Sequence, residues 1–232
     1  MTTTNLNTQN DTLELQVKKT LPLLPVYVLV PVLFWVVFHY SGTPLVWAAF
    51  GLGALGWIIA LMLRGPVSAV AMRLPKEKAQ QIVVGSSGPL EEGVRLGLLL
   101  LTGSGFSWAL SIGQGWAAVE VLYTMVQVVA IASLAKRTDE KALQAKAMLE
   151  AQGTVNASPV WGIVERISAS AFHIGCTLLA AANPWLVFVL IPLHSAVNLT
   201  AVRLAKKSLA MMELVIAIVG LAALVIGLLA HS

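Results

Sequence analysis

Residues 20–63 read TLPLLPVYVLVPVLFWVVFHYSGTPLVWAAFGLGALGWIIALML, with no Asp, Glu, Lys or Arg anywhere in the run. A helix crosses the hydrocarbon core of a bilayer in about 20 residues, so this run is too long for one span. The turn signal Ser41-Gly42-Thr43-Pro44 cuts it near the middle, which makes it a helical hairpin. Residues 167–202 are equally free of charge and are cut by Asn183-Pro184. The whole chain follows suit: 57% of its 232 residues are hydrophobic and 11% charged, where a soluble domain carries about 25% charged residues. A transmembrane barrel needs alternating segments of about 10 residues, and unbroken apolar runs stand here instead. The fold class is therefore all-α, a polytopic transmembrane helix bundle.

Working outward from the two hairpins gives about seven spans: residues 23–40, 45–63, a third within 82–112, then 116–134, 160–181, 185–204 and 209–230. Gly113-Gln114-Gly115 reads as a tight turn between the third and fourth, and residues 64–78 as an interfacial helix or re-entrant piece. Residues 1–20 are polar and lack the layout of a signal peptide, which makes them a cytoplasmic tail ahead of a single membrane domain over residues 21–232. Thirteen of the 15 basic residues fall in the tail and in alternate loops. The positive-inside rule then places the N-terminus in and the C-terminus out. Topology accounts for the net charge of +4, and no nucleic acid partner is needed. The expected location is a cell membrane, multi-pass, of the bacterial inner (cytoplasmic) type.

The two remaining basic residues, Arg95 and Arg166, lie inside spans and close to carboxylates. Ionisable groups at that depth are expensive and mark a functional-site hypothesis. Glu91 and Glu92 precede Arg95 by four and three residues, so either can meet the guanidinium on one helix face. Arg166 follows Glu165 and stands two turns before His173, while His194 and Asn198 share one face of the sixth span. His173 lies ten residues before Asn183 and His194 ten after Pro184, so the two imidazoles sit at similar depth on antiparallel neighbours. Two imidazoles, an oxygen ligand one turn away and a carboxylate from another helix suit a metal site that activates water. The same groups also suit a structural network, because a buried ion pair fixes helix register without catalysis. Glu120 divides between helix lock and site. Glu213, beside a basic loop, reads as interfacial, Cys176 as a packed hydrophobe, and Gly93-x-x-x-Gly97 as a close helix approach.

The order Glu91-Glu92-Gly93-Val94-Arg95, Phe172-His173, then His194-Ser195-Ala196-Val197-Asn198 resembles the intramembrane proteases that include CAAX prenyl endopeptidases and PrsW proteins. Adding Gly56-Trp57-Ile58-Ile59-Ala60-Leu61 before Arg64, the Gly-rich turn before Glu120, and Glu165-Arg166 ahead of His173, the chain resembles the YhfC family of intramembrane metalloproteases over about residues 55–205. The resemblance implies a protease core over about residues 82–205 that hydrolyses peptide bonds of membrane-associated protein or peptide substrates. It further implies that Glu91 or Glu92, with Arg95, activates water, and that His173, His194 and Asn198 bind Zn²⁺ or the oxyanion, with Glu120, Glu165 and Arg166 in support. Trp116 stands where the family pattern has a histidine, so that helix offers at most Glu120 to a metal. A non-catalytic scaffold or transporter built on the same polar groups is the alternative expectation.

Overall fold

The computed structural model describes residues 13–151 and 158–232. Nine helices stand among the described residues: α1 (Leu13–Tyr40, with a 3-10 turn at Leu21–Leu23), α2 (Trp47–Ala71), α3 (Lys76–Gly85), α4 (Ser87–Thr102), α5 (Phe106–Ala135), α6 (Glu140–Ala151), α7 (Pro159–Ala182), α8 (Val187–Ala205) and α9 (Leu209–Leu229). No strand occurs among the described residues, so the all-α bundle is as the sequence predicts. Residues 1–12 of the expected tail lie outside the described residues. Residues 13–20 are helical and run into the first apolar segment, where Leu13 and Val17 pack on Ala132 and Ala135 of α5.

Six helices are long and apolar enough to cross a membrane: α1, α2, α5, α7, α8 with its leading 3-10 turn, and α9. The segment expected within residues 82–112 is divided among α3, the 16-residue α4 and the first turns of α5. Helix α4 is cut short by the break at Ser86 and the turn at Gly103, and it carries three charged residues, Glu91, Glu92 and Arg95. Contacts fix the helix directions. Val46, just ahead of α2, donates its N–H to Ser111 Oγ of α5 at 3.0 Å, and the Trp57 and Tyr123 rings meet at a tilt further along both helices, so α2 and α5 run the same way. Between them in sequence, α4 runs the opposite way, pairing Glu91 with Arg64 near one end of α2 and packing Leu98 by Gly56 nearer the other.

The expected turn at Gly113-Gln114-Gly115 is instead the interior of α5. Its glycines serve helix approach: a Cβ on Gly115 would overlap the Phe50 carbonyl of α2, and one on Gly113 would crowd Ile174 of α7. The chain turns earlier, at Gly103, whose φ of 123° favours glycine. Residues 64–71 likewise continue α2 through Pro66 and do not form a separate interfacial piece. The Gly93/Gly97 pair makes no close approach, since a Cβ on either would meet nothing within 4 Å.

Turn chemistry closes the remaining hairpins. Asn183 Oδ1 accepts from the Trp185 N–H at 3.1 Å, and Ser208 Oγ accepts from Met211 N–H at 3.3 Å at the start of α9. Between α5 and α6, Arg137 donates to both oxygens of Asp139, which holds that exposed carboxyl below its ordinary value. Helix α7 is the centre of the bundle. Buried residues make up 61% of its spanning window, against 17–28% in the other five long helices. Close packing of Gly175 and Gly220 brings α9 against it, and α5 covers another side. The outer surface is apolar, as at Leu101 and Phe188, and Trp47 and Trp185 stand exposed near helix ends where an interfacial belt would lie.

Candidate functional site

The opposed directions of α2, α4, α5, α7 and α8 carry their ionisable side chains into one buried cluster at the bundle centre. Glu91, Glu92, Arg95, His173 and His194 are each at most 4% exposed. Helix α4 supplies three of them within five residues. Arg95 is fully enclosed: Nη1 donates to Glu92 Oε2 at 3.2 Å, Nη2 lies 3.0 Å from His173 Nδ1, and the guanidinium stacks 4.6 Å from the Trp116 ring centroid. Glu92 and Arg95 thus pair as their spacing predicts. Glu91 points elsewhere, to Arg64 of α2 and to the Trp116 Nε1–H at 3.4 Å.

The imidazoles face each other, with ring centroids 5.4 Å apart. His194 Nδ1 lies 2.7 Å from Glu92 Oε1, and since a carboxylate only accepts, that nitrogen carries the proton. His194 Nε2 is left directed at Glu91 Oε1, 3.8 Å away. For His173 the logic runs from the other side. A guanidinium only donates, so Nδ1 accepts from Arg95, and the neutral ring bears its proton on Nε2, which lies 2.6 Å from Glu120 Oε2. Nδ1 also lies 3.9 Å from Glu91 Oε2. Glu120 is in turn held by Arg166 Nη1 at 2.7 Å, and Arg166 Nη2 donates to Glu165.

Each imidazole therefore presents one nitrogen to an outer carboxylate, Glu92 or Glu120, and the other toward Glu91. That is the arrangement in which outer carboxylates orient metal-bound histidines. Glu91, His173 and His194 form a buried group able to hold a metal ion, with ligand atoms all within 4.8 Å of one another. In a tetrahedral zinc site, bonds of 2.0–2.2 Å set neighbouring ligand atoms roughly 3.3 Å apart. The separations found here, 3.8 and 3.9 Å to two different oxygens of Glu91 and up to 4.8 Å within the group, are wider by about half an ångström or more. Charge points the same way. Glu91, Glu92, Glu120 and Glu165 face Arg64, Arg95 and Arg166, so with neutral imidazoles the cluster is one positive charge short of balance. One added positive charge corrects this, and a divalent ion between Glu91 and His194 takes the cluster from one negative to one positive charge. The donor set fits a divalent ion on one condition: the Arg95 guanidinium must leave His173 Nδ1.

Asn198 Nδ2 donates to Ser87 Oγ at 2.7 Å, fastening α8 to the start of α4. Glu165 and Arg166 are one contact further out, in support of Glu120. Glu213 is not interfacial in exposure. It is 2% exposed, and neither carboxylate oxygen has a hydrogen-bond partner among the described residues. Reasoning from sequence missed Arg64 and Trp116 as partners of Glu91. The signal for Arg64 was the absence of any proline between Pro44 and Pro66, which lets one helix carry Arg64 down to the depth of α4. For Trp116 it was its helical spacing of four from Glu120, which puts both on one face of α5. Comparison with protein-family models, with curated proteins and with solved structures finds no match to this chain.

Proposed function

We propose that this multi-pass membrane protein is an intramembrane metal-dependent endopeptidase that hydrolyses peptide bonds of membrane-associated substrates. The observation that carries the reading is the buried Glu91, His173 and His194 group, with both imidazoles backed by carboxylates. The order of motifs and its resemblance to YhfC-type and CAAX-type proteases supplies the reaction class. In this reading α3 and α4 together return the chain between the parallel helices α2 and α5, giving seven crossings, N-terminus in and C-terminus out. The cell membrane of a bacterium is the proposed location.

Glu91, His173 and His194 hold the ion, Zn²⁺ in this reading, which when bound supplies Lewis-acid polarisation of the scissile carbonyl. Both Glu92 oxygens are engaged, by His194 and by Arg95, so Glu92 positions His194. Glu91, directed at one nitrogen of each imidazole, is oriented toward the ion by Trp116 and Arg64. Arg95, once off His173, remains as a cationic donor for the developing oxyanion. In this reading the proton of the attacking water goes to Glu91 or Glu92, as the resemblance implies. The test is reconstitution in liposomes with a library of membrane-spanning peptides and mass spectrometry of the products. Cleavage that is lost in Glu91→Gln and on chelation supports the reading. Cleavage by Glu91→Gln at the wild-type rate rejects it.

One observation favours a second reading. Arg95 already occupies His173 Nδ1 and pairs with Glu92, which is how a non-catalytic scaffold or transporter would use the same cluster to lock its helices. That reading expects no metal in the purified protein and lower stability or transport when either histidine is removed.

A further inference from the structure

Away from the cluster, the far ends of α3 and α8 leave a groove of about 200 Å³, several times the ~30 Å³ share of a water molecule in the liquid. Arg203 and Lys206, one turn apart at the end of α8, stand on one wall, and Glu77 and Gln80 of α3 on the other. Leu199 and Val202 supply an apolar side. The guanidinium groups of Arg64, Arg95 and Arg166 each have a carboxylate partner. Among the described residues neither Arg203 nor Lys206 makes an ion pair, although Glu77 lines the same groove. Two cations against one carboxylate leave the groove net positive, and the side-chain amides of Gln80 and Gln81 add donors.

The groove's position narrows what can fill it. It opens at the end of a helix long and apolar enough to span, where Arg203 and Lys206 leave the apolar segment, so it lies at headgroup depth. An apolar side next to a cationic wall suits a molecule that joins an anion to hydrocarbon, and a small free anion would leave Leu199 and Val202 uncovered. The geometry points to a binding site for the phosphodiester of an anionic phospholipid, held by Arg203 and Lys206 with its glycerol and first acyl carbons against Leu199 and Val202. Glu77 faces the bound anion and weakens its hold. The site does not depend on the proposed hydrolysis.

The test uses the purified full chain in a nonionic detergent, with binding of dioctanoyl phosphatidylglycerol, dioctanoyl phosphatidylcholine and inorganic phosphate each followed by native mass spectrometry and thermal shift. Phosphatidylglycerol should bind in preference to both others. The double variant Arg203→Gln/Lys206→Gln should weaken it by about thirtyfold. Lys136→Gln/Lys141→Gln, which removes equal charge from exposed positions off the groove, should weaken it far less. Glu77→Gln should tighten it, a sign that general charge attraction at the groove alone shares but that a zwitterionic headgroup, with its ammonium on Glu77, reverses. Equal binding of phosphatidylcholine, equal losses in the two double variants, or weaker binding in Glu77→Gln would each overturn the assignment. Inorganic phosphate displacing the lipid at equal concentration would make this a free-phosphate site and overturn it as well.

Discussion

Replacing Arg95 by Met keeps much of the side chain's length and removes its charge, and the structure gives the expected size of the effect. Arg95 is fully enclosed, neutralises Glu92 and donates to His173. Removing one partner of a buried pair costs about 3–5 kcal/mol, because the other charge is left uncompensated. Loss of the stack on Trp116 falls within that range, since a desolvated cation–π contact contributes about 2 kcal/mol. The variant should therefore be markedly less stable without metal. Added divalent metal should do the reverse, as the substitution clears His173 Nδ1 and leaves the cluster two negative charges out of balance. The assay is unfolding in mixed micelles followed by tryptophan fluorescence, with Zn²⁺ affinity measured in parallel by competition with a chromophoric chelator. Zn²⁺ at a hundred times its Kd should add about 2.7 kcal/mol to either protein, and the variant should reach that point at a lower concentration than wild type. A loss below about 1 kcal/mol without metal, against the 3–5 expected, or a Zn²⁺ affinity no higher than wild type, would refute the reasoning.

Other substitutions separate ligands from supports. Asn198→Ala should keep the metal content of wild type and lower stability by about 1 kcal/mol, the worth of its hydrogen bond to Ser87, as read by metal analysis beside unfolding. Gly115→Ala forces a methyl group into the Phe50 carbonyl and should destabilise by about 1–3 kcal/mol or more. Gly93→Ala meets nothing and should be neutral or stabilising by up to about 1 kcal/mol; equal effects at the two positions in a thermal unfolding series would contradict the packing described here. Glu92→Gln, which weakens the hold on His194 Nδ1, should lower metal affinity about 10- to 100-fold without abolishing binding. Complete loss of the ion in a titration would instead make Glu92 a ligand.

The sequence was most informative where one rule governs many residues. Two charge-free runs, each broken once by a turn, already define hairpins, because a bilayer permits few alternatives. The register of Arg95 with Glu92 and the equal depth of His173 and His194 followed from helical spacing and a short connection, and both hold in the structure. What spacing does not reveal is which residue a long side chain prefers among several neighbours. Glu91 and Glu92 are adjacent and point about 100° apart on α4, so one reaches Arg64 and the other Arg95. Asn198 has the expected spacing from His194, and spacing does not reveal that its amide nitrogen meets Ser87. The Gly113 and Gly115 pair illustrates a different ambiguity. Glycine is suited both to turns and to tight helix contacts, and only the position of Phe50 and Ile174 decides between them.

The claim on which the account turns is that Glu91, His173 and His194 share one divalent ion. Its most direct test is the metal content of protein purified without chelators, with X-ray absorption at the edge of the metal found. The account predicts about one ion per chain with two imidazole ligands, absent from His194→Ala and from His173→Ala. Metal-free wild-type protein whose unfolding is unmoved by added Zn²⁺, or a metal signal that persists in both histidine variants, would contradict it.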